Sequence, residues 1–203
     1  MHNLFLQLWG SLYLLNKIFF SIGERTFNAQ NKKKWFILAW ITFLIALPAW
    51  VILFILKNNW IAVTVEVGAA PSMVVGLFIA WRGKGTEPYW LHWFSKIAAL
   101  FGLLVSFYNF GGITSLNQIL ELGIAIGFLI GTYQLANKNP DGYIWFVLEK
   151  ISCAILMGYE NCFILTIQQV MSLLFILDAY FSNKRFLIRE NQKISVINCR
   201  KTQ

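Results

Sequence analysis

Apolar residues fill seven windows of about twenty positions, the length an α-helix needs to cross a bilayer, with short polar stretches between them. The windows cover 4–23, 35–56, 60–81, 89–109, 113–135, 142–158 and 161–181. Gln7, Asn16 and Lys17 interrupt the first, which makes it the weakest of the set. That window lacks the basic start of a signal peptide, and Lys17 stands where an apolar centre belongs, so it reads as a span. The expected fold is all-α: a polytopic membrane bundle of seven transmembrane helices with internal repeats. Residues 1–183 form the membrane domain and 184–203 a basic tail.

The polar positions inside these windows recur. A gapless shift of 55 places Trp35 on Trp90, Glu66 on Glu121, Gly68 on Gly123, Ala70 on Ala125 and Gly76 on Gly131. Gly68-Ser72-Gly76 thus overlays Gly123-Gly127-Gly131. Small residues four apart let helix backbones approach closely, so both stripes read as packing faces. Glu66 lies about 160° around its helix from Gly68, which separates the polar face from the packing face. After the first span the chain reads as three hairpins, whose second helices carry Glu66, Glu121 and the pair Gln168-Gln169. It also divides as three, one and three spans, pairing the third with the seventh; the sequence does not choose. Pro48 and Pro71 interrupt the second and third spans, and each removes a backbone donor. Pro71, five residues after Glu66, serves either a polar pocket or packing alone.

Composition and charge sharpen this picture. Hydrophobic residues make up 58% of the chain and charged residues only 13%, more apolar surface than a soluble fold hides. The net charge of +8 is mostly a topology signal. Arg25, Lys32, Lys33, Lys34, Arg82, Lys84, Lys138 and the tail cations fall on one side, against Lys57 on the other. That bias predicts an outside N-terminus and a cytoplasmic C-terminus; the membrane expected is a bacterial inner membrane. The basic tail reads as a flank attracted to anionic lipid, and nucleic-acid binding is excluded as a role. Cys153, Cys162 and Cys199 show neither metal nor redox spacing and read as free thiols. No nucleotide-binding loop, paired histidine or catalytic triad is present, so an enzyme, an ATP-driven pump, a cofactor and a metal are not expected.

Candidate chemistry lies in the spans. A carboxylate within a membrane is costly and usually faces a bundle interior or a wet cavity. Glu66 and Glu121 are therefore the first candidates, for solute contact or for structural pairing with Lys96 or His92. Gln118, Gln168 and Gln169 supply amides, which donate and accept without fixed charge. Adjacent Gln168 and Gln169 point about 100° apart, so only one faces a given cavity fully. Trp35, Trp60, Trp81, Trp90 and Trp145 read as an interfacial belt, whereas Trp40, Trp50 and Trp93 lie deeper, where an indole stacks on a planar ring. Asp178 is placed to neutralise Lys184 or Arg185, and Glu149-Lys150 to form a structural pair. The expected binding set is Glu66, Gln118, Glu121, Gln168, Gln169, Trp93 and Trp40.

Asn139-Pro140-Asp141-Gly142-Tyr143-Ile144-Trp145 leading into a helix, then Ile167-Gln168-Gln169-Val170-Met171-Ser172, resembles the PnuC family of vitamin transporters, relatives in fold of the SWEET sugar transporters. The likeness covers the last two spans by sequence and the first five by topology. The chain departs from the pattern at Leu177-Asp178-Ala179-Tyr180-Phe181, where a Gly followed by Trp is expected. The resemblance implies two three-helix bundles joined by the fourth span, with a mid-membrane site between them. It also implies a facilitator for a vitamin-like nucleoside such as nicotinamide riboside, with thiamine as a chemical alternative. The expected partners are a small-molecule solute and membrane lipid, with self-association left open. Two further readings stand beside it: a non-transporting membrane subunit or receptor that binds a protein, and a proton-coupled carrier.

Overall fold

The computed structural model describes residues 8–56, 59–109, 116–159 and 163–201, with side chains at 106, 107, 109 and beyond Phe186 left aside. Expectations on Gln7, Lys57, Cys162, Cys199 and the tail cations past Phe186 lie outside the described residues. Seven helices follow one another: α1 (Leu12–Arg25), α2 (Ala29–Leu56), α3 (Trp60–Arg82), α4 (Tyr89–Asn109), α5 (Leu116–Ala136), α6 (Gly142–Tyr159) and α7 (Phe163–Lys201). The described residues contain no strand. Among the described residues, five helices are long and apolar enough to cross a membrane: α2, α3, α5, α6 and the first part of α7, Phe163–Phe186. These are the marks of an integral membrane protein.

Local chemistry sets the helix ends. Asn28 Oδ1 accepts the backbone N–H groups of Gln30 and Asn31, opening α2. Asn59 caps α3 by accepting from the Ala62 N–H at 3.0 Å. Gly83, at φ 108°, closes α3 in a conformation that suits glycine. Helix α7 runs past the expected end at 181, because residues 164–201 contain neither Gly nor Pro to stop it. Pro48 and Pro71 lie within continuous helices.

Six helices form a ring. Contacts run from α1 to α2, α3, α5, α6 and α7 in turn, and α7 closes back on α1. Helix α4 stands outside, packed on α3 and α5. Its Trp90, Trp93, Ile97, Phe101 and Leu104 are exposed, a face suited to lipid. The polar interruptions of the first window turn inward: Asn16 and Lys17 are buried in the ring.

Candidate functional site

The ring interior carries polar groups at three depths. The chain is helical at 8–10, turns at Ser11 and resumes as α1. The Leu14 N–H bonds to the Ser11 carbonyl instead of continuing the α-helical ladder, so the Gly10 carbonyl is released. Trp50 Nε1 on α2 donates to that carbonyl at 3.0 Å, and Gln168 Nε2 on α7 at 3.3 Å. One broken turn thereby ties three helices together. Asn16 Nδ2 adds a bond of 2.8 Å to the Ala39 carbonyl of α2.

Close to this tie, Glu66 is 7% exposed and accepts a 2.6 Å hydrogen bond from the Tyr13 hydroxyl. Tyr13 stacks on Trp50 and meets Phe43 edge-on at 4.7 Å between ring centroids. Phe43 in turn stacks with Trp40, so aromatic contacts run from Trp40 to Glu66 through two rings. Lys17 Nζ lies over the Phe146 and Phe43 rings. Lys150 donates to Glu149 Oε1 at 2.8 Å, and both side chains are buried. The expected Glu149–Lys150 pair is therefore present, deep in the ring.

Toward the basic end Glu24 gathers three donors: Lys32 at 2.9 Å, Asn183 at 3.0 Å and Tyr143 at 3.1 Å. Beside it opens a pocket of about 400 Å³, lined by Glu24, Lys32, Arg82, Lys138, Asn183 and, on its apolar side, Trp40. Cations from the start of α2, the end of α3 and the α5–α6 connection thus share one end of the bundle. Gly76 also lines this pocket and leaves room for the Trp40 indole; a Cβ there would collide with it.

The expected site residues divide. Glu66, Gln168, Gln169 and Trp40 are buried in the interior. Glu121 and Gln118 are half-buried on α5. Glu121 Oε1 accepts from Asn59 Nδ2 at 3.0 Å and borders a space of about 10 Å³, near the lower limit for one water. The matched carboxylates therefore have different partners. Trp93 is 47% exposed, with Lys96 Nζ 5.0 Å from its ring centroid, because α4 lies outside the ring. Lys96 is exposed there, while Glu66 has Tyr13 as its partner. Asp178 binds Arg25 and Ser21 of α1, neighbours that only the α1–α7 contact brings close.

Sequence reasoning passed over Tyr13 and treated Lys17 as an interruption. The available signal was Asn16-Lys17 within an apolar run, since a cation at that depth rarely faces lipid. Several buried polar atoms lack a hydrogen-bond partner: Asn16 Oδ1, Lys17 Nζ, Glu149 Oε2, Gln168 Oε1, Gln169 Oε1 and Ser172 Oγ among them. Most are acceptors, so the interior favours a guest that donates hydrogen bonds. Comparison with protein-family models, curated proteins and solved structures gives no match for this chain.

Proposed function

We propose that the chain is a small-solute transporter of a bacterial inner membrane, a facilitator that moves a vitamin-like nucleoside without ATP. In this reading all seven helices span the bilayer, the N-terminus is outside and the basic end is cytoplasmic. Helices α1–α3 and α5–α7 are related halves, and α4 links them. The ring order supports this arrangement: half a turn about the ring axis carries α1 to α5, α2 to α6 and α3 to α7. Glu66, early in α3, then corresponds to Gln168-Gln169, early in α7.

The set of unpartnered acceptors inside the ring carries the functional reading. Each buried polar atom without a partner costs about 1–3 kcal/mol, so an interior with several is better suited to a guest than to stability. The pocket beside Trp40 supplies an approach from the basic end, and its volume of about 400 Å³ suits a small solute. Free acceptors suit ribose hydroxyls, and the Trp40, Phe43, Tyr13 and Trp50 rings suit a planar base. Nicotinamide riboside combines both features and is the first solute to try.

Uptake into proteoliposomes, measured against a panel of vitamins and nucleosides, tests the proposal. The expected result is saturable uptake of one panel member without ATP or a pH gradient, reduced at least about tenfold by Glu66→Gln with Gln168→Leu. Dependence on a pH gradient would make the chain a proton-coupled carrier. No uptake of any member, with a stoichiometric protein partner recovered from membranes, would replace transport with the subunit reading.

A further inference from the structure

Lys17 is 2% exposed, and its ammonium has no hydrogen-bond acceptor among the described residues. It rests 3.7 Å from the Phe146 ring centroid and 4.4 Å from that of Phe43. A cation desolvated between two ring faces is the arrangement by which aromatic cages hold a ligand's positive charge. The same ring interior holds a carboxylate with a free oxygen: Glu149 has Oε1 on Lys150 and Oε2 unpartnered.

We propose that the Lys17 ammonium is a tethered occupant of a cation seat formed by the Phe43 and Phe146 rings, and that a cationic ring solute binds by displacing it. This deepens the transporter reading by naming the charge class of the solute and the residue that sets it. The four-carbon stem lets the ammonium leave the seat without moving α1. Any ring entering the seat displaces Lys17, but a cation also meets its charge on the way in, whereas a neutral ring of the same shape does not. Lys17 therefore holds cation affinity down, and its return helps release a bound cation. It is a specificity-determining residue.

N-methylnicotinamide and nicotinamide supply the matched probes, the same ring with and without the charge. Binding to the purified full chain in nanodiscs is read from tryptophan fluorescence, since Trp40 and Trp50 adjoin the seat through Phe43 and Tyr13. Lys17→Met keeps the length of the side chain and packs on both rings. It is expected to tighten N-methylnicotinamide binding about tenfold, the scale of one desolvated cation–ring contact, and to leave nicotinamide unchanged. Lys17→Arg should give no such increase, and Phe146→Leu added to Lys17→Met should cancel it. Equal shifts for both probes, or no shift in folded Lys17→Met, would overturn the seat.

Should Lys17→Met fail to fold, Phe146→Leu alone decides: it must weaken the cation more than its neutral twin, and equal weakening overturns the proposal. Because the readout is binding, absence of uptake by the wild-type chain would sink the transporter reading while leaving this difference intact. Uptake without any difference between the probes would sink the seat alone.

Discussion

Helices α3 and α5 carry the same sequence device, a carboxylate followed by three small residues spaced four apart, and the fold puts it to different uses. On α5 the stripe is a seam against α6. A Cβ on Gly123 would stand 2.5 Å from Ser152 Oγ, on Gly127 2.6 Å from the Trp145 carbonyl oxygen, and on Gly131 3.1 Å from that of Gly142. On α3 the stripe serves two neighbours. Gly68 faces the Ala98 carbonyl and Gly102 of α4, Ser72 meets Ser95 of α4 at 2.7 Å, and Gly76 accommodates Trp40 of α2. The carboxylates diverge as well, Glu66 to Tyr13 within the ring and Glu121 to Asn59. Small residues specify that something comes close; which helix comes close is decided by the rest of the chain.

The sharpest way to break this comparison is to give α5 the pattern of α3. Gly127→Ser would drive its side chain into the backbone of α6, at the Trp145 carbonyl and the Glu149 N–H. Backbone cannot rotate aside as the end of a side chain can, so α5 and α6 must separate. The expected loss is about 3 kcal/mol, read as a lower midpoint of denaturant-driven unfolding in mixed micelles. Gly158→Ala is the control: no atom lies within 4 Å of the added methyl, and removing a helical glycine should stabilise by about 0.5–1 kcal/mol.

The carboxylates come next. Glu66→Ala strands the buried Tyr13 hydroxyl and should cost about 1–3 kcal/mol, whereas Glu121→Ala, at a half-buried site, should cost about 0.5–1 kcal/mol. A double-mutant cycle with Tyr13→Phe should recover most of the Glu66 effect as coupling. Near-zero coupling would mean that Glu66 depends on other partners. Asn59→Ala removes the cap of α3 and its link to Glu121 together. Its expected cost is about 1 kcal/mol in the same unfolding measurement.

Much of the helix pattern could be read from the sequence, because hydrophobic length is a local property. Five of the seven windows became helices apolar enough to cross a membrane, and the 60–81 and 89–109 windows match α3 and α4 closely. The site was less legible. Trp93 was chosen for its depth along α4, but depth along a helix says nothing of which face meets a neighbour, and α4 turned out to lie outside the ring. Lys17 reads as a flaw in the weakest window because its rings belong to other helices, Phe43 to α2 and Phe146, far along the chain, to α6. The cations expected for Asp178 both lie about two turns ahead of it on its own helix, whereas Arg25 binds it across more than a hundred and fifty residues. A helix span is written within twenty residues, while the partner of a buried charge is written in the fold.

The reverse swap, Ser72→Gly, gives α3 the pattern of α5 and should do little. The lost contact is one hydroxyl–hydroxyl bond between helices, worth about 0.6 kcal/mol within a membrane. The Ser95 hydroxyl can turn back to the carbonyl one turn earlier in its own helix, so it need not stay unsatisfied. The added flexibility of glycine contributes about 0.5 kcal/mol more. Ser72→Ala separates the two contributions, since it removes the bond and keeps a Cβ. Together they make the expected cost of Ser72→Gly about 1 kcal/mol, a third of that for Gly127→Ser. If the two swaps proved equally damaging, the stripes would be equivalent seams, and the shared sequence pattern would have described the packing better than the neighbours do.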